Sequence, residues 1–330
     1  MLRLNDKWVW DFWFAQDGAD THIFYLQADR SLKDERLRHW NVSIGHAVSQ
    51  DLRQWEVLPD ALAPSPVDPN ATVEPFDTYT TWTGSIIRHA GEWYMFYTGS
   101  RRSEKGLVQR IGLATSSDLI HWTKHGPHSL IEADPTWYEL LDLDLWHDQA
   151  WRDPWVFKDE ETGRFHALIT ARANHGPADE RGVIGHASSD NLIDWQVEPP
   201  LTQPGEFGHL EVPQVIPIDG RYYLLFSCPH ETTAKSRIDR ISQRQDGTGY
   251  MMSDAPLGPY HMPTDKFLVT DGKLYSGKVI TTPTGDMFYM SFLNYDGEGN
   301  FIGVLNDPLP IHVGEGGLLS IDFDNDPLDQ

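Results

Sequence analysis

The sequence predicts an all-β chain closed into a single five-bladed β-propeller spanning residues 1–330. A short phrase recurs at blade-sized intervals, and a pair of strand-like segments precedes its clearest copies. No long amphipathic helical period interrupts them. The phrase is Ser49-Gln50-Asp51-Leu52-Arg53-Gln54-Trp55, then Ser117-Asp118-Leu119-Ile120-His121-Trp122, then Ser189-Asp190-Asn191-Leu192-Ile193-Asp194-Trp195. Weaker echoes follow at Ser253-Asp254 and Asn306-Asp307. The aspartates lie at 51, 118, 190, 254 and 307, in steps of 67, 72, 64 and 53 residues.

Each unit contributes about four strands. In unit one, His22-Ile23-Phe24-Tyr25-Leu26 and Ser43-Ile44-Gly45-His46-Ala47-Val48 read as strands before the phrase. In unit two these are Trp93–Tyr97 and Arg110–Thr115, and in unit three Phe165–Ile169 and Gly182–Ala187. Tyr222–Phe226 and Met287–Ser291 continue the series. Turns such as His89-Ala90-Gly91-Glu92 and Ile218-Asp219-Gly220-Arg221 are hairpin signals. The phrase itself reads as a turn held by Ser and Asp side chains, with its Trp packed between blades. Trp55, Trp122 and Trp195 are therefore not ligand candidates. Closing five such units into a ring leaves few exposed edges.

Composition narrows the ligand. Lys+Arg is 26 against Asp+Glu 49, a formal net charge of -23. That field repels nucleic acid and anionic membranes and suits a small neutral ligand. The 13 Trp, 12 Tyr and 14 Phe favour strands and flat, sugar-like binding surfaces. The single cysteine, Cys228, sits in an apolar run and reads as a small buried residue. The N-terminal residues lack an apolar signal core, so a cytoplasmic location is expected. No cofactor or metal is expected; the acidic run Asp142-Leu143-Asp144-Leu145-Trp146-His147-Asp148 reads as a solvated loop on the pocket rim, with a cation site as the open alternative. The tail Asp322-Phe323-Asp324-Asn325-Asp326 reads as a solvated end.

In a propeller the first strand of each blade lines the central channel, so the residues opening each unit are the candidates for a site at its mouth. They are Trp8–Trp13, Thr81–Ile86, the stretch from Arg152-Asp153-Pro154, His209–Val215 and Tyr275–Val279. Three carry an acid in an apolar or aromatic segment: Asp11, Asp153 and Glu211. One such acid is an ordinary buried carboxylate or turn cap. Three at equivalent repeat positions form a set, and burial with mutual repulsion must raise at least one pKa. Glycoside cleavage needs that combination, one carboxyl protonated and another ionised. Trp10, Trp13 and Trp82 would wall a sugar ring.

These stretches resemble the five-bladed propeller enzymes of glycoside hydrolase families 32 and 68, the β-fructofuranosidase and levansucrase groups. Trp10-Asp11 resembles the family 68 nucleophile strand, and Trp82-Thr83-Gly84-Ser85 the Trp-Ser-Gly-Ser motif. Arg152-Asp153-Pro154 matches a motif of both families. Gly45-His46-Ala47-Val48-Ser49 with Asp51-Leu52 and Trp55 looks like family 32, and Glu211-Val212-Pro213 is similar to its Glu-Cys-Pro motif. The resemblance implies Asp11 as nucleophile, Glu211 as general acid/base and Asp153 as transition-state stabiliser. Trp10, Trp13, Trp82, Ser85, Arg152 and Tyr275 would contact a small fructoside, with hydrolysis or transfer as outcomes. The chain departs from family 32 where Phe12 and Trp13 follow Asp11 in place of Pro-Asn-Gly. It departs from family 68 where Gln214 stands near the position of an Arg. No C-terminal β-sandwich domain is expected after residue 310. Two alternatives remain open: an inverting, family 43-like arabinofuranosidase or xylosidase, whose working carboxyls would stand wider apart, and a sugar-binding propeller without catalysis.

Overall fold

A computed structural model describes residues 1–241 and 244–323; positions 324–326 of the acidic tail lie outside them. The strands fall into five antiparallel sheets, the blades of a five-bladed propeller. Blade 1 is β1 (Lys7–Asp17), β2 (Asp20–Asp29), β3 (Ser43–Ser49) and β4 (Glu56–Leu62). Blade 2 is β5 (Thr80–His89), β6 (Glu92–Ser100), β7 (Gln109–Ser116) and β8 (Thr123–Lys124). Blade 3 is β9 (Trp151–Lys158), β10 (Phe165–Arg172), β11 (Gly182–Ser189) and β12 (Trp195–Glu198). Blade 4 has three strands, β13 (Glu211–Ile218), β14 (Arg221–Cys228) and β15 (Gly247–Ser253). Blade 5 is β16 (Leu274–Thr281), β17 (Met287–Tyr295), β18 (Phe301–Leu305), β19 (Leu309–Val313) and β20 (Leu319–Ile321). One α-helix is found among the described residues, Lys235–Ile241. No described helix is long and apolar enough to cross a membrane.

Burial follows position in the blade. The central strand β10, Phe165-His166-Ala167-Leu168-Ile169-Thr170-Ala171-Arg172, is buried at every residue, because neighbouring blades cover both its faces. The outermost strand β4 is mostly exposed, and it carries Pro59, a residue that edge strands tolerate. The first strands touch in sequence, β1 to β5, β5 to β9, β9 to β13 and β13 to β16, and β16 returns to β1. That circuit closes the ring and gathers the five unit-opening stretches.

The recurring phrase is a turn with a Trp wedge. Ser49, Ser116 and Ser189 cap the backbone two residues on, and Asp51, Asp118 and Asn191 each accept two further N–H groups. The residue after each, Leu52, Leu119 and Leu192, has positive φ. The third copy is therefore anchored by Asn191, one place beyond the Asp190 of the sequence alignment; an amide oxygen accepts the same two bonds as a carboxylate. Trp122 stands edge-on to Phe24 of blade 1, and Trp195 edge-on to Phe96 of blade 2, so each wedge packs onto the preceding blade. The last echo builds no such turn, since Asn306 bonds back to Ser291 and Asp307 pairs with the Met1 ammonium.

Candidate active site

All five first strands break register at the same level. The shifts fall between Trp10 and Phe12, Trp82 and Gly84, Glu211 and Gln214, and Tyr275 and Lys278, and opposite Arg152 and Trp155 in blade 3. Four of these bulges hold a non-glycine residue at positive φ: Asp11 (23°), Asp153 (58°), Val212 (47°) and Ser276 (57°). Such backbone costs about 1–3 kcal/mol per residue and persists where the surroundings enforce it, commonly at functional sites. Pro154 and Pro213 sit inside two of the bulges, where a missing N–H breaks no ladder. Gly84 follows the blade 2 bulge because a Cβ there would lie 2.1 Å from the Phe96 carbonyl oxygen.

The bulges open on a cavity of about 500 Å³ lined by Asp11, Asp153 and Glu211 together with Trp10, Trp82, Arg152 and Tyr275. Seven of the nine residues expected to contact substrate or do chemistry thus share one pocket. Two do not. Trp13 is 1 % exposed and stacks on Phe24 inside the blade core, because it lies beyond the bulge that turns Asp11 inward. Ser85 is also sealed, and its Oγ accepts the Val156 N–H (2.9 Å), tying the first strands of blades 2 and 3.

Arg152 organises the acids. Its guanidinium donates to Glu211 Oε1 (2.7 Å), Gln109 Oε1 (3.1 Å), His209 Nδ1 (3.1 Å) and Asp148 Oδ2 (3.4 Å), and its Nε stands 3.6 Å from Asp153 Oδ2. Asp153 Oδ2 also accepts from Thr170 Oγ1 (2.9 Å) and the Val212 N–H (3.2 Å). Asp11 accepts from Thr83 Oγ1 (2.8 Å). Tyr275 donates its hydroxyl to Glu211 Oε2 (2.5 Å). Lys278 is buried beneath them and donates to the Val212 (2.6 Å) and Pro213 carbonyls.

The three acids differ in their surroundings. Burial pushes Asp153 up to about 7, with Arg152 opposing and Asp11 and Glu211 adding repulsion. Burial also raises Asp11, against donation from Thr83 and Ser276. Glu211 meets the same burial, but a His209 charge that exists only below about pH 4, the Arg152 charge and the Tyr275 and Arg152 hydrogen bonds outweigh it and hold it at about 2. Burial lowers Lys278 to about 8, with Asp153 and Asp11 opposing. Near neutral pH Glu211 is therefore ionised and Asp153 partly protonated, so the carboxyls are pushed apart but in the order opposite to a protonated Glu211.

Sequence reasoning missed Gln109, and gave no role to Thr83, His209 and Lys278 within the unit-opening stretches or to Asp148 within the acidic run. His209 was within reach, since it opens the same unit two residues before Glu211. It also missed Arg38, His39 and Trp40, which a 3-10 turn between β2 and β3 (Glu35–Trp40) delivers to the cavity wall. Trp82 Nε1 fixes that turn by donating to the His39 carbonyl (2.9 Å). The acidic run 142–148 reaches the rim through His147 and Asp148. No cluster of His, Cys, Asp or Glu among the described residues suits a metal ion. Gln214 is outside the cavity, bridging to blade 5 through the Val279 N–H and carbonyl. Cys228 is free and buried.

The chain is similar over nearly its whole length to known proteins. An extracellular sucrase of Zymomonas mobilis subsp. mobilis is 25 % identical, covering 97 % of this chain and 82 % of that protein. A sucrose-6-phosphate hydrolase of Bacillus subtilis is 28 % identical over 56 % of this chain and 34 % of its own length. Among solved structures, an inulosucrase from Halalkalicoccus jeotgali bound to kestose superposes with a TM-score of 0.76 at 22 % identity, covering 97 % of this chain and 90 % of that one, which is a likeness of fold. The family model for the N-terminal domain of glycosyl hydrolases family 32 matches residues 16–300, a span that begins after Asp11 and takes in Asp153 and Glu211. With that match over most of the chain, and a five-bladed ring that brings three carboxyls into one pocket, the protein belongs to the glycosyl hydrolases of family 32.

Proposed function

We propose that this chain is a retaining glycoside hydrolase acting on β-fructofuranosides, sucrose or small fructo-oligosaccharides, with transfer to a sugar acceptor as a second fate of the same intermediate. The observation that carries it is the convergence of Asp11, Asp153 and Glu211 from blades 1, 3 and 4 on one cavity. Asp11 attacks the anomeric carbon as the glycosidic C–O bond breaks, and Glu211 gives its proton to the departing oxygen. Glu211 then takes a proton from water or an acceptor hydroxyl, whose oxygen displaces Asp11. Asp153 holds sugar hydroxyls and the positive charge that develops, while Arg152 keeps Asp153 and Glu211 in place. Hydroxyl groups donating to Asp11 and Asp153 favour their ionised forms, which moves the shared proton toward Glu211 as the site fills.

The family membership and the name of the Zymomonas relative support a fructoside. An inverting, family 43-like reaction has less support, because the matching model is that of family 32. A purely binding propeller would have no use for three mutually repelling acids. The proposal includes that the propeller itself carries the activity. It also places the protein in the cytoplasm, on the sequence reading; fractionation of cells producing the full chain, with enzyme found outside them, overturns that part.

The test is incubation of the chain with sucrose, inulin- and levan-type oligosaccharides and aryl arabinofuranosides, with products and anomeric configuration followed by NMR. Release of β-fructose first supports the proposal. Inverted product or exclusive arabinoside cleavage replaces it with the second reading. Asp11→Asn should abolish turnover while preserving the fold, and near-normal activity in that variant removes Asp11 from the chemistry.

A further inference from the structure

One buried donor beside Glu211 has no partner. Arg152 Nη2 lies 3.1 Å from His209 Nδ1, and a guanidinium only donates, so Nδ1 is the acceptor and the ring hydrogen sits on Nε2. That Nε2 is sealed from solvent and bonds to nothing. Its nearest carboxylate is Glu211 Oε2, at 3.7 Å, about 0.5 Å beyond the usual hydrogen-bond limit. An unsatisfied buried N–H costs about 1–3 kcal/mol, so its retention needs a reason.

The ring is also fixed in place. His209 is 4 % exposed, Trp146 stands edge-on to it, and its backbone leaves no room for a Cβ at Gly182. Protonation of Nδ1 would face Arg152 directly, and burial together with that charge keeps the imidazole neutral. His209 therefore cannot carry a proton between groups; it offers one fixed N–H.

We propose that His209 is a positioning residue for Glu211, its Nε2–H closing onto the carboxylate as that group gives its proton to the leaving oxygen. The inference rests on Glu211 acting as the general acid. Tyr275 donates to the same Oε2. When substrate enters and Glu211 turns toward the glycosidic oxygen, a shift of under about 1 Å brings Oε2 within bonding distance of Nε2. The new bond is stronger to the ionised carboxylate than to the protonated carboxyl, so it lowers the energy of the state in which the proton has left. The other charged or titratable groups facing His209 are Asp148 and His147 on the rim and Arg152 beneath, and those facing Glu211 are Tyr275, Asp11, Asp153, His39 and Cys228.

The experiment compares His209→Leu, His209→Gln and Glu211→Gln in the full chain, using sucrose and an aryl β-fructofuranoside with an activated leaving group, over a pH series. His209→Leu should lower kcat on sucrose by at least about tenfold and on the aryl substrate much less, since the aryl group needs little protonation. The alkaline limb of kcat, which reports the substrate-bound enzyme, should move up by about half a pH unit or more, because the ionised acid has lost a donor there. His209→Gln should recover much of both, its amide able to accept from Arg152 and donate to Glu211. Equal losses on the two substrates, an unmoved alkaline limb in a folded variant, or no recovery with Gln overturns the proposal. If the Leu variant does not fold, His209→Asn is read in its place, since it accepts from Arg152 but is too short to reach Glu211. Failure of the underlying reading looks different: Glu211→Gln would then lose equally on both substrates.

Discussion

Replacing Asp153 with asparagine should make the protein more stable at alkaline pH while removing its activity. The Asp153 carboxyl is pushed up to about 7 in the folded chain, chiefly by burial, against 3.8 when exposed. Between those values the folded state holds a proton that the unfolded chain has released, so stability falls as pH rises. The slope is about 1.4 kcal/mol per pH unit. From pH 5 to pH 7 the accumulated loss is about 3 kcal/mol, and above pH 7 the slope flattens as the folded carboxyl ionises too. The substituted amide has no such proton. Its oxygen can still accept from Thr170 Oγ1 and the Val212 N–H, so the packing need not change. The stability advantage of Asp153→Asn over the wild type should therefore grow by about 3 kcal/mol between pH 5 and pH 8. Asp11 loses a like-charged neighbour in the variant, which acts in the same sense. Urea denaturation of both proteins at the two pH values measures the difference. Turnover should drop by about two orders of magnitude or more with the lost transition-state contact. Parallel pH dependence of stability in the two proteins would refute the buried, proton-holding Asp153.

Tyr275→Phe deletes the donation to Glu211 Oε2, so Glu211 becomes a weaker acid, and the alkaline limb of the pH–rate profile should move upward with a modest fall in kcat. Ser85→Ala leaves the Val156 N–H unpaired and should cost about 1–3 kcal/mol in a urea melt with KM unchanged. Gln214→Leu strands both polar groups of Val279, and should cost about 2 kcal/mol or more without altering acceptor preference. His46, held neutral by burial at about 3, should make the fold lose stability as pH falls from 6.5, because the unfolded ring takes a proton that the folded one refuses. His46→Gln should flatten that part of the pH–stability curve, and an unchanged curve would contradict it.

The blades were legible because their signal is local and repeated. Ser49, Ser116 and Ser189 make the same turn, and a Trp follows each at nearly fixed spacing. Asp11, Asp153 and Glu211 were legible because acids are rare in strands that are otherwise apolar. The bulges were not. Trp13 shares the parity of Asp11 in a regular strand, and only a register break between Trp10 and Phe12 sends it to the core. In Trp82-Thr83-Gly84-Ser85 the break likewise puts Thr83, not Ser85, against Asp11. The Arg38-His39-Trp40 turn carries no repeat phrase. Its place in the cavity depends on a tertiary bond from Trp82, which no local pattern announces.

The circuit of first strands also has a thermodynamic meaning for whatever fills the cavity. Wall residues such as Asp11, Trp82, Asp153, Glu211 and Tyr275 come one from each blade, so a bound sugar is a tether between chain segments far apart in sequence. A ligand that binds only the closed ring stabilises it by about 2.7 kcal/mol at a concentration one hundred times its Kd. Every blade should share that protection, including parts of the ring far from the sugar. Amide exchange in the outer strands β4, β8 and β12 would then slow on binding wherever it proceeds through opening of the ring, although those strands contribute nothing to the cavity wall.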